Sequence, residues 1–252
     1  MRLAVIGGTG LEHLATGTAS VHAGSREFHL FTAQRAGHEV IFVPRHGKSH
    51  ENLPTHIPYA DILQELAKRK VQAIIAFSST GSLDPATPLA SQGCFVVASD
   101  YLRLPGFQPV SFALAHNPHA SMNPAFDEPL RQLLLSAGRS AGLDMREGIY
   151  AQFPGNAFET RAEVAFLRTV ALLAEQHKVP HLSTKGLQVG MTAIPEAILA
   201  KELNIPYALV CSPANYAQGL NNTVVTIQDI KASMAAAAKN VPKLLDAALQ
   251  RL

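Results

Sequence analysis

The chain lacks the features that mark a membrane protein, a nucleic-acid binder or a disulfide-built domain. Nowhere in its 252 residues do apolar positions run to the roughly 18 needed to cross a bilayer. Met1-Arg2-Leu3-Ala4-Val5-Ile6 passes straight into a glycine turn, without the apolar segment and cleavage site of a secretory leader, so a cytoplasmic setting is expected. Charge is sparse, at 16% of residues and a formal net of +2, which gives no footing for a nucleic-acid partner. The one basic run, Lys68-Arg69-Lys70, ends a helical pattern, where cations are favoured by the helix dipole. There are only two cysteines, Cys94 and Cys211; both sit among apolar residues and read as buried reduced thiols, outside any metal-ligand spacing.

What the chain has is apolar mass, 47% of residues, enough for a substantial core. Short apolar runs alternate with helical patterns, which implies an α/β fold. Strands are expected at Leu3–Ile6, Phe28–Gln34, Glu39–Pro44, Ala73–Phe77, Cys94–Ala98, Gly148–Phe153 and Tyr207–Cys211. Helices are expected at Tyr59–Lys70, Glu128–Ala141, Thr160–Ala174, Pro195–Leu203 and, as one long terminal element, Ile227–Leu252. Thr160-Arg161-Ala162-Glu163 has the capping-box pattern. From about Leu102 to Pro124 the chain is irregular, and a loop of that length is usually functional or an assembly surface. With no repeat or linker, residues 1–252 read as one domain.

Several strand ends carry chemistry. Gly7-Gly8-Thr9-Gly10 follows the first strand, but His13 stands where a dinucleotide fingerprint needs its third glycine. The segment fits a bare anion loop or a plain turn better than a nicotinamide site. Arg45 and His46, directly after a strand, offer a planar fork and a second donor for phosphate oxygens, and His50 is placed to approach a sugar hydroxyl. Read alone, they are equally a basic surface turn, and no acidic or cysteine ligands join the histidines in a metal set. Ser78-Ser79-Thr80-Gly81-Ser82 ends a buried strand with hydroxyls suited to binding; no histidine–acid arrangement makes any of them a nucleophile. Phe158-Glu159 pairs an aromatic face with a carboxylate, either for a heterocycle or as a core residue beside a helix start. Between Leu182 and Ala217, the Gly190-to-Glu196 stretch sets a turn, a hydroxyl and a helix start ahead of a lone amide, Asn215. That layout suits an anion and a polar heterocycle at neighbouring strand ends.

These pieces occur in a fixed order: Ile6-Gly7-Gly8-Thr9-Gly10, Arg45-His46-Gly47, Gly81-Ser82-Leu83, Phe158-Glu159-Thr160-Arg161-Ala162-Glu163 and Gly190-Met191-Thr192-Ala193-Ile194-Pro195-Glu196. So arranged, the chain resembles the purine nucleoside phosphorylase and methylthioadenosine phosphorylase family over nearly its full length. The resemblance implies a central mixed twisted β-sheet flanked by helices. It implies phosphate contacts from Thr9, Arg45, His46, Ser78, Ser79 and Thr192, and substrate contacts from His50, Phe158, Glu159, Met191 and Asn215. Asn215, His46 and Glu159 take the catalytic parts, with Met191 under the sugar. His119 matches a region that reaches a neighbouring copy in trimeric members, with His116 competing for that place. No metal or cofactor is implied; inorganic phosphate is a co-substrate.

Within the family, Asn215 and Ala217 stand where the methylthioadenosine-cleaving branch carries aspartates, and a Phe-Glu-Thr segment is typical of the 6-oxopurine branch. A carboxylate at Glu159 accepts the N1–H of hypoxanthine but repels the unprotonated N1 of adenine. Val225 and its apolar neighbours suit a 5′-methylthio group. The expectation is therefore S-methyl-5′-thioinosine, with inosine and guanosine, methylthioadenosine, and a non-catalytic nucleoside-binding protein as the alternatives. The chain departs from the family at Pro154-Gly155-Asn156-Ala157, where a Gly-Pro pair is common, and at Gly190, where asparagine often stands.

Overall fold

The computed structural model describes residues 1–8, 19–23, 26–106, 110–114, 119–221 and 224–252, with side chains for all of these except 19–23, 26 and 27. Its strands are β1 Arg2–Gly7, β2 Ala19–Ala23, β3 Arg26–Arg35, β4 His38–Pro44, β5 Ala73–Ser82, β6 Cys94–Arg103, β7 Asp144–Gln152, β8 Gln188–Gly190 and β9 Tyr207–Tyr216. Its helices are α1 Tyr59–Lys68, α2 Glu128–Ser140, α3 Arg161–Gln176, α4 Ala193–Glu202, α5 Ile227–Ala237 and α6 Asn240–Leu249.

The described strands form one mixed sheet in the order β2-β3-β4-β1-β5-β8-β7-β6-β9, and β9 also pairs with β5. The run β5-β8-β7-β6-β9 therefore closes on itself as a small barrel attached to an open sheet. Strands β4, β1, β5 and β9 are mutually parallel, so their carboxyl ends share one edge. In open α/β sheets that edge is where ligands bind.

Alternation along β1 sets the layers. Ala4 and Ile6 join a core with Ile62, Leu63 and Leu66 of α1 and most of α4. Leu3 and Val5 face the opposite way, onto Leu130, Leu134 and Leu135 of α2 and Val241, Leu244 and Leu245 of α6. The sheet is thus covered on both faces, as parallel strands require. Cys94 and Cys211 are buried free thiols, and burial pushes the Cys94 thiol up to about 12.

Several elements differ from the sequence expectation, among them β6 and β9, which run on to Arg103 and Tyr216. The single terminal helix is two, α5 and α6, because Pro242 has no N–H to return to the carbonyl of Ala238 and its ring crowds that group. Strand β5 runs on through its hydroxyl residues to Ser82 instead of stopping at Phe77. Those polar groups are satisfied inside the barrel: Thr80 Oγ1 donates to Gln188 Oε1 at 2.7 Å, and Gln188 Nε2 donates to Ser82 Oγ at 3.1 Å. Strands β2 and β8 have no counterpart in the sequence reading, and at three residues β8 is too short for a period to register.

Candidate active site

A cavity of ≈ 360 Å³ opens at the shared carboxyl edge. It gathers Arg45, His46, His50, Ser78, Ser79, Phe158, Glu159, Met191, Thr192 and Asn215 from six separate stretches of chain. Each lands there because a strand or its following turn ends at this edge. β4 delivers Arg45 and His46; β5 delivers Ser78 through Gly81; β8 leads into Met191 and Thr192; β9 carries Asn215.

Arg45 is fully buried and its guanidinium is held by three hydrogen bonds. Nε and Nη2 donate to the two carboxylate oxygens of Glu196 at 2.6 and 2.8 Å, and Nη1 donates to the Phe77 carbonyl at 2.5 Å. Burial works against the charge, but the attraction and hydrogen bonds of Glu196 outweigh it and hold the Arg45 pKa above its ordinary value. Gly8 supplies the clearance: a methyl group there would lie 3.0 Å from Arg45 Nη1 and 3.1 Å from the Phe77 carbonyl oxygen.

His46 Nδ1 lies 2.8 Å from the Asn52 carbonyl. A carbonyl only accepts, so Nδ1 carries the proton and Nε2 is the ring's second hydrogen-bonding position. The ring stacks on His50 at a centroid distance of 4.3 Å.

Thr192 enters the cavity just before α4. The helix start itself is not free for an anion, contrary to the expected layout. Thr192 N–H donates to Tyr150 Oη at 3.1 Å, Ile194 N–H donates to Gln152 Oε1 at 2.7 Å, and Pro195 has no N–H. Tyr150 also accounts for Gly190. A side chain at 190 would meet Tyr150 Oη at 2.5 Å, so the tyrosine occupies the space an asparagine would need.

At the other end, Asn215 Nδ2 donates to the Tyr216 carbonyl at 2.8 Å, which uses one of its two N–H bonds. The β5–β9 register shifts between Thr80 and Gly81, and this sets Asn215 opposite Gly81. A methyl at Gly81 would press on Asn215 Nδ2 at 3.3 Å and Val189 Cγ1 at 3.0 Å. Glu159 is buried, and burial raises its carboxyl pKa against the Gln218 N–H that donates to Oε1 at 3.1 Å. Phe158, 38% exposed, lies at the mouth with Leu53 and Ile227. The re-shaped Pro154–Ala157 turn thus still delivers Phe158 and Glu159 to the cavity. It adds Asn156, whose Nδ2 donates to Thr55 Oγ1 at 3.0 Å.

Two expected residues that the structure describes, Val225 and His119, are not in the lining. Thr9 lies outside the described residues, as does His116. Val225 does not face the cavity; it is buried with Ala214, Ile230 and Met234, and the apolar wall there is Ile227 and Ile230. His119 is exposed and away from the cavity of its own chain. Among the described residues no group of three or more metal-ligating side chains occurs.

The sequence reading assigned no role to Glu196, Tyr150, Gln152 or Asn156. For Glu196 a signal was present: it is the one charged residue in the first two turns of α4, which are otherwise apolar on every side. Chemically, the arrangement offers a buried cation with hydroxyls at one end and an amide with a carboxylate at the other. From Ser78, beside Arg45, to Gly81, beside Asn215, is three residues of extended strand, or about 10 Å.

The family model described as "Phosphorylase superfamily" matches residues 2–250 of the chain. A protein of Pyrococcus furiosus named "6-oxopurine nucleoside phosphorylase" is 31% identical, with 98% of this chain and 92% of that one covered. One of Methanothermobacter thermautotrophicus named "Probable S-methyl-5'-thioinosine phosphorylase" is 30% identical, covering 99% and 84%. In structure, the methylthioadenosine phosphorylase of Schistosoma mansoni in complex with adenine superposes with a TM-score of 0.81 at 21% identity, covering 99% of this chain and 91% of that one. That likeness shows the fold.

Proposed function

This chain belongs to the phosphorylase superfamily, and from that premise we propose that it cleaves purine nucleosides with inorganic phosphate, S-methyl-5′-thioinosine foremost. Phosphate oxygen attacks the anomeric carbon as the bond to purine N9 breaks. The products are hypoxanthine and 5-methylthioribose 1-phosphate.

The observation that carries this reading is one cavity with Arg45, Ser78, Ser79 and Thr192 toward one end and Glu159 and Asn215 toward the other. Bond cleavage builds positive charge on the sugar and negative charge on the base. Phosphate, held by Arg45, His46 and the hydroxyls, stabilises the first. The remaining Asn215 N–H, donated to purine N7, stabilises the second. Glu159 accepts N1–H, which a 6-oxopurine has and adenine lacks. The apolar mouth of Leu53, Ile227 and Ile230 suits a methylthio group better than a hydroxyl.

The same reading includes a cytoplasmic enzyme with no cofactor beyond phosphate as co-substrate. It works as a homotrimer in which His119, outside its own chain's cavity, serves a neighbouring one. Inosine and guanosine are the nearest rival substrates, since one small apolar contact discriminates by only about 1–3 kcal/mol.

The test is purified protein with phosphate and a panel of methylthioinosine, inosine, guanosine and methylthioadenosine, following free base. Phosphate-dependent release of hypoxanthine from methylthioinosine should exceed every other signal. Release from none of the four would leave a nucleoside-binding protein instead.

A further inference from the structure

We propose that Glu196 is a positioning residue for phosphate: its paired hydrogen bonds to Arg45 aim the remaining guanidinium N–H groups into the cavity. This rests on the phosphorolytic reading above. A guanidinium has five N–H bonds in a fixed plane. Two go to Glu196 and one to the Phe77 carbonyl, which leaves one on Nη1 and one on Nη2. With Nε, Nη1 and Nη2 all tied, the plane cannot rotate, and Arg45 is one of the residues lining the cavity.

Glu196 is itself aimed. Tyr207 Oη donates to its Oε2 at 2.8 Å, and the Tyr207 ring stacks on Phe126 with centroids 6.1 Å apart. Orientation thus passes from the start of β9 through a carboxylate on α4 to a cation after β4. A purely structural purpose explains this poorly. The two side chains are 0% and 2% exposed, and a buried ion pair is often no more stabilising than apolar residues of the same volume. A cation that keeps two donors beside the cavity has a use that apolar packing lacks.

The experiment measures KM for inorganic phosphate and KM for the nucleoside separately in the wild type, Glu196→Gln and Tyr207→Phe. Glu196→Gln is expected to raise the phosphate KM by roughly tenfold or more and the nucleoside KM by less than about twofold. Tyr207→Phe should move the phosphate KM the same way by about threefold. An unchanged phosphate KM, or equal rises in both constants, would overturn the proposal. Should Glu196→Gln not fold, Tyr207→Phe carries the test. If the wild type releases no base, the functional reading has failed separately. Calorimetric titration of inorganic phosphate into the wild type and Tyr207→Phe then decides, and equal affinities or no binding to either would refute the positioning role.

Discussion

Glu159 shows how one buried carboxylate can serve the reaction at a cost to the fold. Burial raises its pKa, so the folded chain holds that proton more tightly than the unfolded chain does. Stability therefore falls as pH rises from the ordinary glutamate range through the raised value. Function favours the opposite state, because the ionised carboxylate is the stronger acceptor for a purine N1–H. The acid limb of kcat/KM for methylthioinosine should accordingly sit above the ordinary glutamate range, and Glu159→Gln should abolish that limb. The same variant should melt no lower than the wild type at neutral pH. A lower melting temperature would mean that the Gln218 N–H contributes more than desolvation costs. Phe158 and Glu159 were legible because they lie in a short ordered motif, and Asn215 because the family resemblance assigns a role to the amide after the next strand. Glu196 stood out locally, but its pairing was not legible, since its partner Arg45 is 151 positions away and no local pattern joins them.

At the scale of elements, the cap of α3 connects helix stability to the site. Thr160 Oγ1 accepts from Glu163 N–H at 3.2 Å, and Glu163 Oε2 accepts from Thr160 N–H at 2.7 Å, a closed capping box directly after Phe158 and Glu159. Thr160→Ala should cost about 1 kcal/mol, which lowers the melting temperature by roughly 2–4 °C in a chain of this size. It should also raise the nucleoside KM with little change in the phosphate KM; the reverse pattern would disconnect α3 from base binding. This box could be read from the sequence because its partners lie three residues apart. The length of β5 could not, because its polar end looks like a loop until Gln188 is brought across to pair with Thr80 and Ser82.

Over the whole molecule, the surface of α3 bears on assembly. Phe166 is 63% exposed, Val170 38% and Leu173 48%, and their spacing puts them on one side of the helix. Apolar groups clustered in this way are usually covered by a partner. A native mass three times that of the chain is expected by light scattering, and a single-chain mass that kept full activity would remove the part given to His119. The sequence by itself determined the α/β class, the place of most strands and helices, and most of the residues that meet at the cavity. These depend on periodicity and on short motifs, in which every group lies within a few positions of the next. Only the tertiary structure decided that β5-β8-β7-β6-β9 closes into a barrel, that Tyr150 fills the space beside Gly190, that Val225 packs away from the cavity, and that Glu196 fixes Arg45. The physical reason is mostly distance along the chain: the barrel closure and the Tyr150–Gly190 and Glu196–Arg45 contacts join segments tens to more than a hundred residues apart, and they exist only once the strands have assembled.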